Sequence, residues 1–326
     1  MPANLTPEYL AAEEAYRNAK TVEEKIAALE EMLATIPKHK GTDKMQADIK
    51  RRLSKLRKAG DNKKGGSRQY DPYLVEKQGA GQVVLVGFPN SGKSSLVKSL
   101  TNAKVKVAPY PFTTPLPQPG MMPYEDILIQ LIDTPPITEE GIPGPFTTTI
   151  RNGDLLLLLT DLSTDECIDQ LQMILKFLKE KRILRKELIE GVSAFTIDEC
   201  IVIGSKADDE KSQERLEIIK ELIPDSPDIL PISTETGLNL DKLKELIFKK
   251  LKIIRIYSKV PGKNPDMDRP FILKEGSTVL DFARQIHKDF AENLKNARVW
   301  GSARFDGQAV PQDYQLKDRD IVELNT

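Results

Sequence analysis

Apolar residues follow two different rhythms along this chain. In the N-terminal stretch they recur at helical spacing. Ile26, Leu29, Leu33 and Ile36 share one face, and Met45, Ile49, Leu53 and Leu56 share another. Thr6-Pro7 pairs an N-cap residue with proline at the first helical position, and Thr21-Val22-Glu23-Glu24 has the form of a capping box. Pro37 should end the second helix, and a third should begin near Thr42-Asp43. The pattern predicts a helical hairpin or three-helix unit, too thin to hold much core alone.

From Gln82 onward the rhythm changes to short, nearly continuous apolar runs. Val83 to Val86, Ile127 to Asp133, Leu155 to Asp161 and Cys200 to Gly204 read as strands buried on both faces. Helical patterns lie between and after them. One runs from Asp165 to Lys181, with Ile168, Leu171, Ile174, Leu175 and Leu178 inward, and another from Leu240 to Lys250. Strands alternating with helices predict an α/β fold with a doubly wound sheet.

The last segment is smaller. Phe271-Ile272-Leu273, Ala297 to Gly301 and Ile321 to Leu324 read as strands, and Val279 to Phe290 as one helix with Val279, Phe282, Ala283, Ile286 and Phe290 on its inner face. A mixed sheet holding one helix fits a β-grasp, ubiquitin-like fold. Trp300 is expected as a core anchor. His287 falls on the exposed side of the helix and is given no chemistry. The expected organisation is a basic helical arm and Gly/Lys linker over 1–68, a nucleotide domain over 69–257 and the β-grasp domain over 266–326.

Charge sharpens the picture at one place. The 326 residues carry a net charge of −1. Between Lys38 and Arg68, however, twelve basic residues face three acidic ones, a local charge of +9. A solvated helix face and linker would account for this, and so would contact with the phosphate backbone of RNA. No aromatic residues interleave with the cations, so base stacking there is not expected. With only two cysteines and two histidines, disulfide scaffolds and His-based catalysis are disfavoured. No apolar run approaches the ~18–20 residues of a membrane helix, and the N-terminus lacks a signal-peptide core. A cytoplasmic protein with no membrane partner is expected.

The chemistry centres on Gly87-Phe88-Pro89-Asn90-Ser91-Gly92-Lys93-Ser94, which fits G-x-x-x-x-G-K-[ST] between a strand and a helix. The backbone from Asn90 through Ser91, Gly92, Lys93, Ser94 and Ser95 would wrap a phosphate chain at a helix N-terminus. Lys93 would reach the β- and γ-phosphates, and the Ser94 hydroxyl would ligate Mg²⁺. Downstream, Tyr110-Pro111-Phe112-Thr113-Thr114 offers a loop threonine to complete the metal shell. Asp133, at a strand's carboxyl end, suits a metal-supporting carboxylate. Ser205-Lys206-Ala207-Asp208 follows another strand. An Asp208 carboxylate would accept from guanine N1–H and the 2-amino group, a donor pair adenine lacks. Ser233, Thr234 and Glu235 would close the base pocket.

The motifs GFPNSGKSSL, YPFTT, IQLIDTPPI and SKAD occur in order, after the basic segment KGTDKMQADIKRRLSKLRK. Together they resemble the Obg-related GTPases, specifically the developmentally regulated GTP-binding (DRG) family. The C-terminal IHKDF, NARVWGSARFDGQ and LKDRDIVEL resemble the TGS domain that follows the G domain there. The resemblance implies phosphate binding by Lys93, metal binding by Ser94, Thr114 (or Thr113) and Asp133, guanine reading by Lys206 and Asp208, and support of the base by Ser233. The TGS resemblance also implies RNA or ribosome contact, so together with the charged arm the expected partner is the ribosome or rRNA, reached through the basic arm and TGS domain.

Three departures from the family pattern stand out. The usual D-x-P-G is Asp133-Thr134-Pro135-Pro136, and proline has no N–H for a γ-phosphate. Ile137 stands where Ras-like enzymes place a water-orienting glutamine. The spacing from Asp133 to Ser205 leaves little room for the family's inserted domain, so Ile183 to Glu199 reads as a shortened remnant. Asn90 offers a substitute catalyst, since glutamine-free relatives use this asparagine to hold K⁺; it would otherwise simply cap a turn.

The leading expectation is a GTP-hydrolysing, Mg²⁺-dependent switch with Lys93, Thr114 and Asn90 as catalytic residues. Turnover alone should be slow, with a place for a regulatory protein partner. The alternatives are a guanine-nucleotide-binding module with little hydrolysis, an ATPase, and an RNA adaptor with a vestigial nucleotide site.

Overall fold

The computed structural model describes residues 6–19, 22–37, 41–62, 73–101, 116–138, 141, 144–187, 193–223 and 229–325. They fall into two compact units. The first comprises residues 1–72 and 182–196, and the second residues 73–181 and 197–326.

In the first unit, α1 (Pro7–Asn18), α2 (Val22–Thr35) and α3 (Asp43–Asn62) pack in sequence. The Thr6 hydroxyl accepts from Tyr9 N–H at 3.2 Å, with Pro7 beginning the helix as expected. The core joins Tyr9, Leu29, Leu33, Ile36, Ile49 and Leu53, with Ile26, Met45 and Leu56 against it. Tyr9 lies outside the two predicted stripes, as do Ala12, Met32 and Tyr16 of the same cluster; the other residues are those of the stripes. Thr21, Lys38 and Lys40 lie outside the described residues, as do Lys63, Lys64, Arg68 and the side chains of Arg57 and Lys58. Lys44, Arg51, Arg52 and Lys55 are exposed on α3, where Arg52 pairs with Asp48 at 2.7 Å. Residues 182–196 belong to this unit. Ile183 accepts from Phe195 N–H at 2.7 Å, and Arg182 pairs with Glu31.

The second unit begins with β1 (Gln82–Gly87), α4 (Lys93–Leu100), β2 (Gln118–Tyr124), β3 (Ile127–Asp133), α5 (Gly144–Asn152), β4 (Leu155–Asp161) and α6 (Cys167–Glu180). It continues through β5 (Cys200–Ser205), α7 (Ser212–Leu222), β6 (Ile229–Pro231) and α8 (Leu240–Leu251). The six-stranded sheet has the order β2-β3-β1-β4-β5-β6, with β2 antiparallel and the other pairs parallel. Every residue of β1 and β4 is buried, because helices cover both faces. The order places β1 between β3 and β4, so the carboxyl ends of all three open on one crevice.

The chain then forms β7 (Ile253–Ser258), β8 (Phe271–Lys274), α9 (Val279–Ile286), α10 (Lys288–Asn293), β9 (Asn296–Trp300), β10 (Gln308–Val310) and β11 (Asp320–Asn325). These strands make a five-stranded sheet, β10-β9-β11-β7-β8, cored by Ile256, Val279, Phe282, Val299 and Val322.

The strand β7 pairs with β8 and β11 and so belongs to the second sheet. Two expectations need correction here. The single helix expected from Val279 to Phe290 is broken at His287, which is extended and whose side chain caps α10 by accepting from Asp289 N–H at 3.3 Å. Phe290 is thereby turned outward and is 40% exposed. Trp300 is only half-buried and lies outside the core cluster; Lys259 stands 4.7 Å over its ring.

The two sheets of this unit meet through charge. Arg255, buried on β7, pairs with Asp318 at 2.7 Å, with Asp126 in the β2–β3 turn at 2.7 Å, and with Glu125. Tyr257 also donates to Asp126. Among the described residues, no helix is long and apolar enough to cross a membrane.

Candidate functional site

The loop from Gly87 to Lys93 joins β1 to α4. Gly87 is forced by close packing, since a Cβ there would lie 2.6 Å from Ser91 Oγ and 2.9 Å from Leu159 O. Gly92, at φ 86°, makes the left-handed turn that starts α4. Asn90 is exposed at the loop's outer bend with φ 61°, a conformation asparagine tolerates better than most residues. Lys93 folds back over the loop. Its Nζ donates to Gly87 O at 2.9 Å, to Phe88 O at 2.8 Å and to Ser91 Oγ at 3.4 Å. Burial lowers the Lys93 pKa to about 8, opposed by the nearby Asp133 charge. The loop therefore presents backbone, a helix N-terminus and an ammonium around one concavity, which suits a polyanion.

The second part lies where β3 ends. Ser94 Oγ donates to Asp133 Oδ2 at 2.5 Å. The other carboxylate oxygen, Asp133 Oδ1, is buried and has no hydrogen-bond partner among the described residues. Burial raises the carboxyl pKa, with the Ser94 hydrogen bond and the Lys93 charge pulling the other way. A hydroxyl and a carboxylate with a spare oxygen form a hard donor set that fits Mg²⁺. Thr113 and Thr114 lie outside the described residues. Past Asp133 the chain stays against β1. Thr134 Oγ1 donates to Leu85 O at 2.5 Å and Ile137 N–H to Gly87 O at 3.0 Å. Ile137 is buried.

The third part is a 230 Å³ cavity beside the loop, lined in part by Gly92, Ser95, Ser205, Lys206, Asp208, Thr234 and Glu235. Ser205 packs against Gly92, while its hydroxyl donates to Thr160 O at 3.1 Å. Ala207 N–H donates to Ile232 O at 2.9 Å, tying the two loops that frame the cavity. Ser233 is buried and shapes the second loop by accepting from Glu235 N–H at 3.2 Å and Thr236 N–H at 3.1 Å. Asp208 is exposed at the cavity wall and free to meet a ligand's donors.

Of the described residues expected from sequence, Lys93, Ser94 and Asp133 lie together, and Gly92, Ser95, Ser205, Lys206, Asp208, Thr234 and Glu235 line the cavity beside them; Ser233 is buried behind its loop, and Asn90 is exposed on the phosphate loop. Sequence reasoning missed Asp161, Ser163 and Asp209, the last two of which line the same cavity. Asp161 stands at the carboxyl end of β4, beside β1, as Asp133 stands at the end of β3. The same positional argument applied to Leu155–Asp161 would have found it. Arg215 braces this side, pairing with Asp165 at 2.8 Å and Asp209 at 2.7 Å.

Comparison with known proteins fits this arrangement. Residues 82–190 match the family described as 50S ribosome-binding GTPase, and residues 254–326 match the TGS domain. An uncharacterized GTP-binding protein of Methanocaldococcus jannaschii is 32% identical over 365 residues, taking in 93% of this chain and 92% of that protein. Developmentally-regulated G-protein 3 of Arabidopsis thaliana is 30% identical over 375 residues, with 93% and 98% covered. Both alignments are longer than this chain, so they open gaps opposite it. A solved structure of a Sulfolobus solfataricus GTP-binding protein in complex with GDP is 25% identical, with a TM-score of 0.39 over 74% of this chain and 70% of that one. Both relatives are at least 30% identical over nearly the whole chain, and with its matched GTPase and TGS segments the chain belongs to the family of developmentally regulated GTP-binding proteins.

Proposed function

We propose that this chain binds GTP with Mg²⁺, hydrolyses it slowly, and serves as a cytoplasmic switch on the ribosome or another RNA assembly. The observation that carries the reading is the Ser94–Asp133 contact beside the phosphate loop. It brings the metal-side groups of α4 and β3 together next to Lys93. When bound, Mg²⁺ would neutralise phosphate charge, held by Ser94, Asp133 and Thr114 (or Thr113). Lys93 would exchange its loop carbonyls for phosphate oxygens. Lys206 and Asp208 would read guanine, with Ser205, Ser233, Thr234 and Glu235 framing it.

Asn90 is assigned to hold K⁺ near the phosphates, where a cation would offset developing charge. Its exposed position at the loop's outer bend supports that role. The basic arm and the TGS domain are the partner-facing parts. The local charge of +9 supports this for the arm, and the TGS match at residues 254–326 for the C-terminal part. The organisation we propose is an arm, a GTPase core and a TGS domain that includes β7.

A second reading is favoured by Pro136 and Ile137. One lacks the N–H that would contact a γ-phosphate, and the other is buried. The chain would then be a guanine-nucleotide-binding adaptor with little hydrolysis. Co-sedimentation with ribosomes in the nucleotide-free, GDP and non-hydrolysable GTP states separates the two. The switch reading expects partitioning to follow nucleotide state, and equal partitioning in all three contradicts it. Competition between GDP and ADP tests the base assignment, and preference for ADP would overturn it.

A further inference from the structure

Asp161 is the buried carboxylate of this crevice that neither the phosphate loop nor the metal side uses. Its side chain is 5% exposed, whereas that of its partner Lys206 is 42% exposed. A carboxylate so buried needs a cation or several donors. It has both. Asp161 Oδ2 receives Lys206 Nζ at 2.5 Å, and Oδ1 accepts from Ser163 N–H at 2.9 Å and Ser163 Oγ at 2.7 Å.

The backbone around the pair is fixed from both strands. Leu162 N–H donates to Ser205 O at 3.0 Å, and Ser205 Oγ donates back to Thr160 O at 3.1 Å. Lys206 has φ 56°, a sparsely populated conformation for a non-glycine residue. Its long side chain would otherwise have several rotamers open to it. The ion pair selects one in which the ammonium is anchored at the end of β4 while Lys206 lines the cavity. The Ser163 hydroxyl, its proton committed to Asp161, lines the same cavity with acceptor capacity left over.

We propose that Asp161 is a positioning residue of the purine pocket. It pins Lys206 so that the lysine stem forms one wall of the base slot, and it orients Ser163 as an acceptor on the same wall. The inference rests on the guanine reading of this cavity and deepens it. Asp161 touches no nucleotide itself and acts through Lys206 and Ser163.

The test is a double-mutant cycle on the full-length protein, reading GDP affinity and, separately, pyrophosphate affinity. Asp161→Asn keeps an acceptor oxygen for Ser163 and puts an uncharged amide N–H₂ where Oδ2 accepted from Lys206, so the lysine loses its anchor. Lys206→Met keeps the apolar stem and removes the ammonium. Each single change is expected to weaken GDP binding about tenfold, the order expected of a charge-assisted hydrogen bond. The double change should also cost about tenfold rather than the hundredfold that independent effects would give. Pyrophosphate, which needs only the phosphate loop, should bind all four proteins within about threefold of one another, since distant sites are nearly independent.

An additive cycle, or a D161N protein that binds GDP like the parent, overturns the proposal. A D161N protein that fails to fold, or loses pyrophosphate together with GDP, makes Asp161 a structural residue and overturns it too. A parent chain that binds pyrophosphate but no guanine nucleotide would instead defeat the guanine reading beneath it.

Discussion

Ser94 donates its hydroxyl to Asp133 Oδ2 across 2.5 Å, so the first turn of α4 and the end of β3 converge on one point. Among the described residues, Asp133 Oδ1 has no hydrogen-bond partner. If this point receives Mg²⁺, added Mg²⁺ should tighten GTP binding by the parent chain. Ser94→Ala should remove most of that gain, about tenfold or more, the worth of a charge-assisted contact. Affinity measured in EDTA should change little. Titration of GTP with and without Mg²⁺ decides it, and an undiminished Mg²⁺ effect in S94A would count against the assignment.

Lys93 carries the pH dependence. Its pKa in the nucleotide-free fold is lowered to about 8, against 10.5 for an ordinary lysine. The unfolded chain therefore binds more protons than the fold between these values. Lys93 disfavours the nucleotide-free fold below about pH 8, and that penalty is relieved as pH rises through the window toward 10.5. Nucleotide binding has the opposite sign, because phosphates favour the ammonium. Calorimetry of GDP binding in buffers of different ionisation enthalpy should show proton uptake at pH 8.5 and little at pH 6.5. Equal proton uptake at both values would contradict the assignment to Lys93.

The Arg255 cluster predicts a stability effect far from the nucleotide. Burial disfavours the guanidinium, but the hydrogen bonds it donates to Asp318, Glu125 and Asp126 outweigh it and raise its pKa. Burial likewise pushes Asp318 and Asp126 up. Arg255 bonds to both, with Tyr257 also bonding Asp126, and they end below the usual carboxylate range. Arg255→Met should destabilise the unit by about 2–3 kcal/mol, the lower side of buried-pair losses because the carboxylates are partly exposed. The carboxylates' contribution is present above about pH 4 and lost as pH falls through their depressed values. R255M should therefore lose part of the parent's acid-dependent destabilisation. Denaturant melts at pH 7 and pH 3 measure both effects.

Asn90 gives a salt prediction. Replacing Na⁺ with K⁺ at constant ionic strength should raise GTP turnover by the parent chain, and Asn90→Ala should remove the difference. Equal turnover in the two salts would assign Asn90 to the loop turn alone, a role its φ of 61° already permits.

Legibility in sequence followed the physics of each element. Val83–Val86 and Leu155–Leu159 were readable because central parallel strands are apolar on both faces. The strand β2 was not, since Pro119, Gly120 and Pro123 read as breakers. It occupies the sheet edge, where proline is tolerated. The break at His287 was hidden because Ile286 and Phe290 keep helical spacing, and only the extended backbone at His287 ends it. Lys93, Asp133 and Asp208 were legible as motif positions. Asp161 was not, because its meaning comes from the strand order that sets β4 beside β1 and from a lysine on the next strand's loop.

Single-turnover hydrolysis of GTP by the full-length chain, with Mg²⁺ and K⁺ and with or without ribosomes, tests the central claim most directly. Slow release of GDP and phosphate by the chain alone, accelerated by ribosomes, is the expected result. No product in either salt, with or without ribosomes, would contradict it and leave a guanine-nucleotide-binding protein that does not turn over.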